Sequence, residues 1–322
     1  MRNLSYSLAI NEALHQLLEK DKSVFLIGQG VNSAWYAGGT CNGLIEKFGK
    51  ERVIDTPVSE NAITGAAVGA AISGMKPIVM HPRMDFMLYA IDPIINQAAN
   101  WSYMLGNKKN ISVVFWGVIN RGGEQAAQHS QALQAIFCHI PGLKVVAPSN
   151  AYDAKGLMIS AVNDNSPVLF IDDRWLYNTE SDVPEELYNI EIGKAEVKKQ
   201  GKDITIVSDS YITSEALKAA EELESQGISA EVVDLRTIKP LDKETIFESV
   251  KKTGRLLIVD AAWQSFGISA EISALVSEQS FRLKAPVKRL CLPDTPAPAN
   301  SEMEKEYYID KNKIVNSIKK LL

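Results

Sequence analysis

Glu60 has the setting that most needs an explanation. It follows Asp55-Thr56-Pro57-Val58-Ser59 and stands at the mouth of a stretch that reads Asn-Ala-Ile-Thr-Gly-Ala-Ala-Val-Gly-Ala-Ala-Ile-Ser over 61–73. A carboxylate beside so apolar an element is costly unless something hydrogen-bonds to it. Burial there would raise its pKa above that of a free glutamate and leave it a proton to donate. The plain alternative is an acid that complements the dipole at a helix N-terminus. His129, in Ala127-Gln128-His129-Ser130-Gln131, is the second candidate. An imidazole titrates near neutrality and can give or take a proton, although a lone histidine is as readily a satisfied residue at a helix start. Gly65 and Gly69 form a G-x-x-x-G inside the same small-residue stretch. Two glycines in a helix each cost about 1 kcal/mol relative to alanine, so close approach of another element should compensate. That element could belong to this chain or to a partner.

These residues need a scaffold, and the chain has the composition of an ordinary globular protein: 46% hydrophobic and 23% charged residues over 322 positions. A net charge of −5 with no basic stripe argues against nucleic acid. Three scattered cysteines (Cys41, Cys138, Cys291) without a CxxC fit reduced thiols better than disulfides or a zinc site. No apolar run reaches membrane-spanning length, and no secretory or transit segment is visible at the N-terminus; the expected location is the cytoplasm.

Short apolar runs at 24–27, 52–55, 77–80, 111–116, 144–147 and 168–171 read as buried strands. Helical patterns lie between them at 61–73, 86–104, 130–140 and 151–162. A helix at 5–20 precedes them, with Leu8, Ile10, Leu14, Leu17 and Leu18 on one face. This alternation predicts an α/β fold with a parallel sheet covered on both faces. A polar, acidic segment around 178–191 reads as a linker. Beyond it, strands at 204–208, 230–234, 256–260 and 287–291 and helices at 214–226, 243–251, 269–278 and 311–322 predict a second, smaller α/β domain. The expected division is 1–180, linker 181–195, and 196–322. The pairs Gly28-Gln29-Gly30 and Gly38-Gly39 are turns by spacing, not phosphate loops.

A set of motifs recurs in one order: Arg52-Val53-Ile54-Asp55-Thr56-Pro57-Val58-Ser59-Glu60, Gly65-Ala66-Ala67-Val68-Gly69, Ala90-Ile91-Asp92, and Ala127-Gln128-His129-Ser130-Gln131. After these come His139-Ile140-Pro141-Gly142-Leu143-Lys144-Val145-Val146, Asp153-Ala154-Lys155-Gly156-Leu157, and Val233-Asp234-Leu235-Arg236-Thr237-Ile238 with Pro240. Over essentially its whole length the chain resembles the β subunits of thiamine-diphosphate-dependent 2-oxoacid dehydrogenases (the E1 component of pyruvate dehydrogenase and its relatives).

The resemblance implies a pyrimidine-binding, transketolase-like first domain and a transketolase C-terminal-like second one. It makes Glu60 the acid that activates the cofactor's aminopyrimidine. Phe86 becomes the aromatic packed on that ring, with Val58 beside it, and His129 the active-site histidine. Relatives grip magnesium and the diphosphate with a motif absent here, which implies an α subunit holding both and an α2β2 assembly that serves a lipoyl acyltransferase (E2). A potassium ion would sit on main-chain carbonyls of Val113, Ala161, Asp164 and Ser166. Where relatives carry other residues, Arg83, Tyr89 and Arg121 become candidate substrate groups; the plain reading pairs the two arginines with Asp85 and Glu124 or with water. Gln29 and Gly30 replace two acids, the first of which in relatives lies in a polar tunnel between active sites. The alternative activity is a two-chain thiamine-diphosphate transferase, transketolase-like or acyloin-forming, that works without lipoate.

Overall fold

A computed structural model of the chain describes residues 2–33, 35–280 and 282–322. The first half runs β1 (Arg2–Ser5), α1 (Tyr6–Lys20), β2 (Val24–Gly28), α2 (Leu44–Phe48), β3 (Val53–Asp55), α3 (Glu60–Ile72) and β4 (Lys76–His81). A 3-10 helix (Met84–Ala90) and a π-helix (Asp92–Ala99) lead into α4 (Asn100–Met104). Then come β5 (Val114–Ile119), α5 (Gln134–Cys138), β6 (Lys144–Val146), α6 (Ala151–Asn163), β7 (Val168–Asp173), a short 3-10 turn (Arg174–Leu176) and β8 (Glu180–Val183). The second half runs β9 (Glu196–Lys199), β10 (Ile204–Ser208), α7 (Ser210–Glu224), β11 (Ala230–Asp234), β12 (Thr237–Lys239), α8 (Lys243–Thr253) and β13 (Leu256–Trp263). It ends with α9 (Ile268–Ser277), β14 (Lys288–Leu292), α10 (Ser301–Tyr307) and α11 (Lys311–Lys319).

The first sheet has the order β12-β6-β7-β5-β4-β2-β3 and is parallel except at β12, which joins its edge antiparallel to β6 from the second half of the chain. Its central strands β2, β4, β5 and β7 are nearly wholly buried because helices cover both faces. α1 and α6 pack on one side, α3 and the π-helix on the other. The second sheet, β14-β13-β10-β11-β9, is parallel except for β9.

Several expectations shift. In α1 the buried face is Tyr6, Ala9, Ile10, Ala13, Leu14, Leu17 and Leu18, while Leu8 points to solvent. The single helix expected at 86–104 is three pieces. Pro93 has no N–H to give the Tyr89 carbonyl four residues back, and Asn61 Nδ2 occupies that carbonyl instead at 3.3 Å. The helix expected at 130–140 shrinks to α5, because Gln131 N bonds the Asp85 carboxylate and not a helical carbonyl. The stretch read as linker begins in β8, which pairs with β1.

The halves are joined by buried charge. Asp153 at the start of α6 receives Arg236 Nη2 at 2.7 Å and Lys198 Nζ at 2.9 Å, and Ser149 Oγ donates to Asp234 Oδ2 at 2.5 Å. Two of the motifs quoted above are therefore the two sides of one inter-domain contact. A third has a steric reason. Gly142 has φ +81°, and a Cβ there would stand 2.1 Å from the Ala99 carbonyl oxygen.

Candidate active site

The carboxyl ends of β7, β5, β4 and β2 lie side by side, with Ile119 registered to Asp173, His81 to Gly117 and Gly28 to Met80. Ligands of open parallel sheets bind at such an edge, near where the strand order reverses. Here that reversal falls between β2 and β4, and the loops beyond the strands carry the candidate residues.

Phe86, from the 3-10 helix after β4, and His129, from the loop after β5, meet edge to face, ring centroids 5.4 Å apart at 87°. The other three histidines are otherwise engaged or remote. His15 bonds the Asn42 carbonyl and His139 is exposed; His81 is fully buried against Thr64 Oγ1 at 3.2 Å, and burial pulls it down to about 4.

Glu60 opens α3 half-buried, and no hydrogen bond within the described residues satisfies its carboxylate. Exposed Val58, Ala62 and Tyr89 surround this end of the chain surface. From Glu60 a face of small residues, Ala62, Gly65, Ala66 and Gly69, runs exposed along α3. A Cβ built at Gly65 or Gly69 meets nothing within 4 Å, so close packing inside this chain is not what the two glycines serve.

Beneath Phe86, Asp85 is 4% exposed and accepts from Gln131 N at 3.1 Å and Gln131 Nε2 at 2.9 Å on one oxygen, while its other oxygen has no partner. Burial holds this carboxyl above the ordinary carboxylate range against those two bonds. Sequence reasoning treated Asp85 only as a partner for Arg83, and that pairing is absent. Arg83 is half-buried, donates to the Pro82 carbonyl at 2.8 Å and to Gln125 Oε1 at 3.4 Å, and leaves Nε buried and unpartnered. Burial first, and then the neighbouring Arg174 charge, pull its guanidinium below the usual range.

Arg121, expected among the substrate groups, is held instead by contacts within the chain. It is buried, with Nε on Asp173 Oδ2 at 2.7 Å and Nη1 on the Ala261 carbonyl at 2.7 Å, so it ties the two domains together. Its expected alternative partner, Glu124, instead reaches the backbone of α10. Tyr89 is 71% exposed. Gly30 has φ +71°, and a Cβ there would lie 2.3 Å from the Tyr36 ring, whose hydroxyl takes the Gln29 side-chain N–H at 2.8 Å.

Of the four carbonyls expected around potassium, two, those of Ala161 and Val113, already accept backbone N–H groups. Asp164 N donates to Ala161 O, Val168 N to Val113 O, and Ser166 N to the Asp164 carboxylate, which also holds Lys144 Nζ at 2.6 Å. A cavity of about 1180 Å³ lies elsewhere, between α5 and α9. Its lining includes Ile136, Trp263 and Phe266 and none of Glu60, Phe86 and His129. No helix among the described residues is long and apolar enough to cross a membrane.

The family model for the transketolase pyrimidine-binding domain matches residues 2–180, and that for the transketolase C-terminal domain matches 193–314. The chain is 44% identical to the acetoin:2,6-dichlorophenolindophenol oxidoreductase subunit beta of Cupriavidus necator, covering 100% of this chain and 98% of that one. It is 43% identical to the 2-oxoisovalerate dehydrogenase subunit beta of Bacillus subtilis (100% and 99%) and 43% identical to the pyruvate dehydrogenase E1 component subunit beta of Rickettsia bellii (97% and 97%). In fold it superposes on a solved split-gene transketolase described as an inactive beta4 tetramer, with TM-score 0.80, 23% identity, and 99% and 98% of the two chains covered. The chain belongs to the family of β subunits of the thiamine-diphosphate-dependent 2-oxoacid dehydrogenases, built from the transketolase pyrimidine-binding and C-terminal domains.

Proposed function

We propose that this chain is the β half of an enzyme that, with an α subunit, decarboxylates a 2-oxoacid on thiamine diphosphate and transfers the acyl group to a lipoyl domain. The observation that carries the reading is the meeting of Phe86 and His129 at the carboxyl ends of the central strands. Glu60 stands unpartnered on the adjoining surface.

The donor set fits an aminopyrimidine: a carboxyl with no hydrogen bond among the described residues, a half-exposed aromatic ring, and apolar Val58 on the rim. When bound, thiamine diphosphate supplies a nucleophilic carbon and an electron sink for cleavage beside a carbonyl. Glu60 would hydrogen-bond the pyrimidine ring nitrogen, and Phe86 would pack on that ring. His129 gives or takes a proton at the substrate oxygen.

The diphosphate and its magnesium fall to the α subunit, and potassium to the carbonyls of Val113, Ala161, Asp164 and Ser166. The exposed small-residue face of α3 is the contact through which an α2β2 tetramer assembles. The expected partner beyond it is a lipoyl acyltransferase, and the expected compartment the cytoplasm. Arg83, without a carboxylate partner, is the group we assign to an anionic part of the substrate, with Tyr89 on the rim. A second reading, transfer of an acyl or ketol group to a carbonyl acceptor without lipoate, is favoured by one observation. One relative from Cupriavidus necator and one from Bacillus subtilis are named for acetoin, an acyloin.

The test is Glu60→Gln, co-expressed with the α subunit. Glutamine keeps the shape and loses the proton, so the tetramer should assemble and turnover should fall about 10²–10⁴-fold. Turnover at the wild-type rate would remove Glu60 from the chemistry.

A further inference from the structure

The loop from Asn120 to Leu133, which carries His129, is strained and is held from the second domain. Gly122, Gly123, Glu124 and Ala126 all have φ between +59° and +69°. This left-handed region is costly for Glu124 and Ala126, which have a Cβ, and persists only where the surroundings over-determine it.

The restraints come from α10 and the residue after it. Glu124 N donates to Glu304 Oε1 at 3.0 Å, Ser301 N donates back to Glu124 Oε1 at 3.0 Å, and Gly122 N donates to the Tyr308 hydroxyl at 3.4 Å. Glu304 is 7% exposed. Tyr308 is fixed between Trp175 and Tyr307, with ring centroids at 5.0 and 5.1 Å. Two carboxylates this close are tolerable because each accepts a different backbone N–H. Downstream, His129 N closes a turn on the Ala126 carbonyl at 3.5 Å, and Gln131 is pinned to Asp85. The first domain therefore holds the far side of His129, and the second domain holds the near side.

We infer that Glu304 and Tyr308 are positioning residues for His129, and that the second domain acts on the reaction as a clamp that holds this loop in its left-handed conformation. The inference rests on the assignment of His129 given above. Glu304 touches neither substrate nor cofactor in this account; it acts through the Glu124 N–H alone.

The experiment uses the co-expressed α/β enzyme, with pyruvate and 2-oxoisovalerate as substrates and 2,6-dichlorophenolindophenol as acceptor. Glu304→Ala should lower kcat about tenfold or more, with KM and thiamine diphosphate affinity within about twofold of wild type. Glu304→Gln keeps an oxygen that accepts the same N–H and should stay within about threefold. Hydrogen exchange across 120–130 should quicken in the alanine variant and not in the glutamine one. Equal losses in both variants, or wild-type kcat and exchange in Glu304→Ala, overturn the clamp. Should Glu304→Ala fail to assemble, Tyr308→Phe decides, since it removes a single hydroxyl: unchanged exchange over 120–130 overturns the clamp, and faster exchange upholds it. His129→Ala separates the two layers. If it is inactive while Glu304→Ala is wild type, the clamp alone falls; if it turns over normally, the reading of the site falls first.

Discussion

Replacing Arg121 by methionine separates an arginine that faces substrate from one that joins domains. The Arg121–Asp173 pair has side chains only 3% and 0% exposed, and the guanidinium also satisfies the Ala261 carbonyl. Arg121→Met fills much of the same volume but leaves Asp173 buried with a single remaining donor, Trp175 N at 3.0 Å. Stranding one member of a buried pair costs about 3–5 kcal/mol. At about 2–4 °C per kcal/mol for domains of this size, the thermal midpoint of the β chain should fall by roughly 6–20 °C. Asp173→Asn in the same background removes the stranded charge and should restore at least half of the loss. The assay is thermal unfolding of the single and double variants beside wild type, with KM measured on the same preparations. A midpoint shift worth less than about 1 kcal/mol, together with a tenfold rise in KM, would refute the structural reading and return Arg121 to the substrate.

Arg83→Ala should raise KM about tenfold, about 1.4 kcal/mol, for a dicarboxylic or phosphorylated substrate while leaving thiamine diphosphate affinity unchanged; identical kinetics across a substrate panel would make it a plain structural residue. Gly69→Ala should stabilise the β chain by up to about 1 kcal/mol, because the added methyl meets nothing. Gly69→Leu should leave the β chain folded by circular dichroism yet block assembly in light scattering; a leucine variant that forms the full complex removes α3 from the interface. Burial first, then Asp260, pushes the Asp209 carboxyl up to about 8, so between pH ~4 and ~8 the folded chain binds more protons than the unfolded one and stability falls as pH rises. Asp209→Asn should flatten that slope in midpoint-versus-pH measurements, and an unchanged slope would show that other groups set it.

The alternation of buried strands with helices was legible because strands covered on both faces are continuous apolar runs, and those runs at 24–27, 77–80 and 168–171 are strands in the structure. Elements without that signature escaped. β8 (Glu-Ser-Asp-Val) and β9 (Glu-Val-Lys-Lys) lie at sheet margins and carry charge, and α10 (Ser-Glu-Met-Glu-Lys-Glu-Tyr) has almost no apolar face. Phe86 and His129 stand out one by one in the sequence, but their contact joins segments 43 positions apart and no local pattern encodes it. The burial of Arg121 escaped for the same reason. Its partners Asp173 and Ala261 are 52 and 140 residues away, and a charged residue in a loop gives no sign that it is buried.

The edge strand β12 separates two ways of dividing this chain. By sequence the first domain ends near residue 180, yet the sheet it is built on is not complete until 237–239 lies beside β6. During synthesis the nascent first domain therefore waits with β6 as an open edge while some sixty further residues emerge, an invitation to wrong pairing. A fragment cut at the family boundary inherits that open edge permanently. The sheet that carries the Phe86–His129 site is thus completed only by residues well inside what the sequence assigns to the other domain.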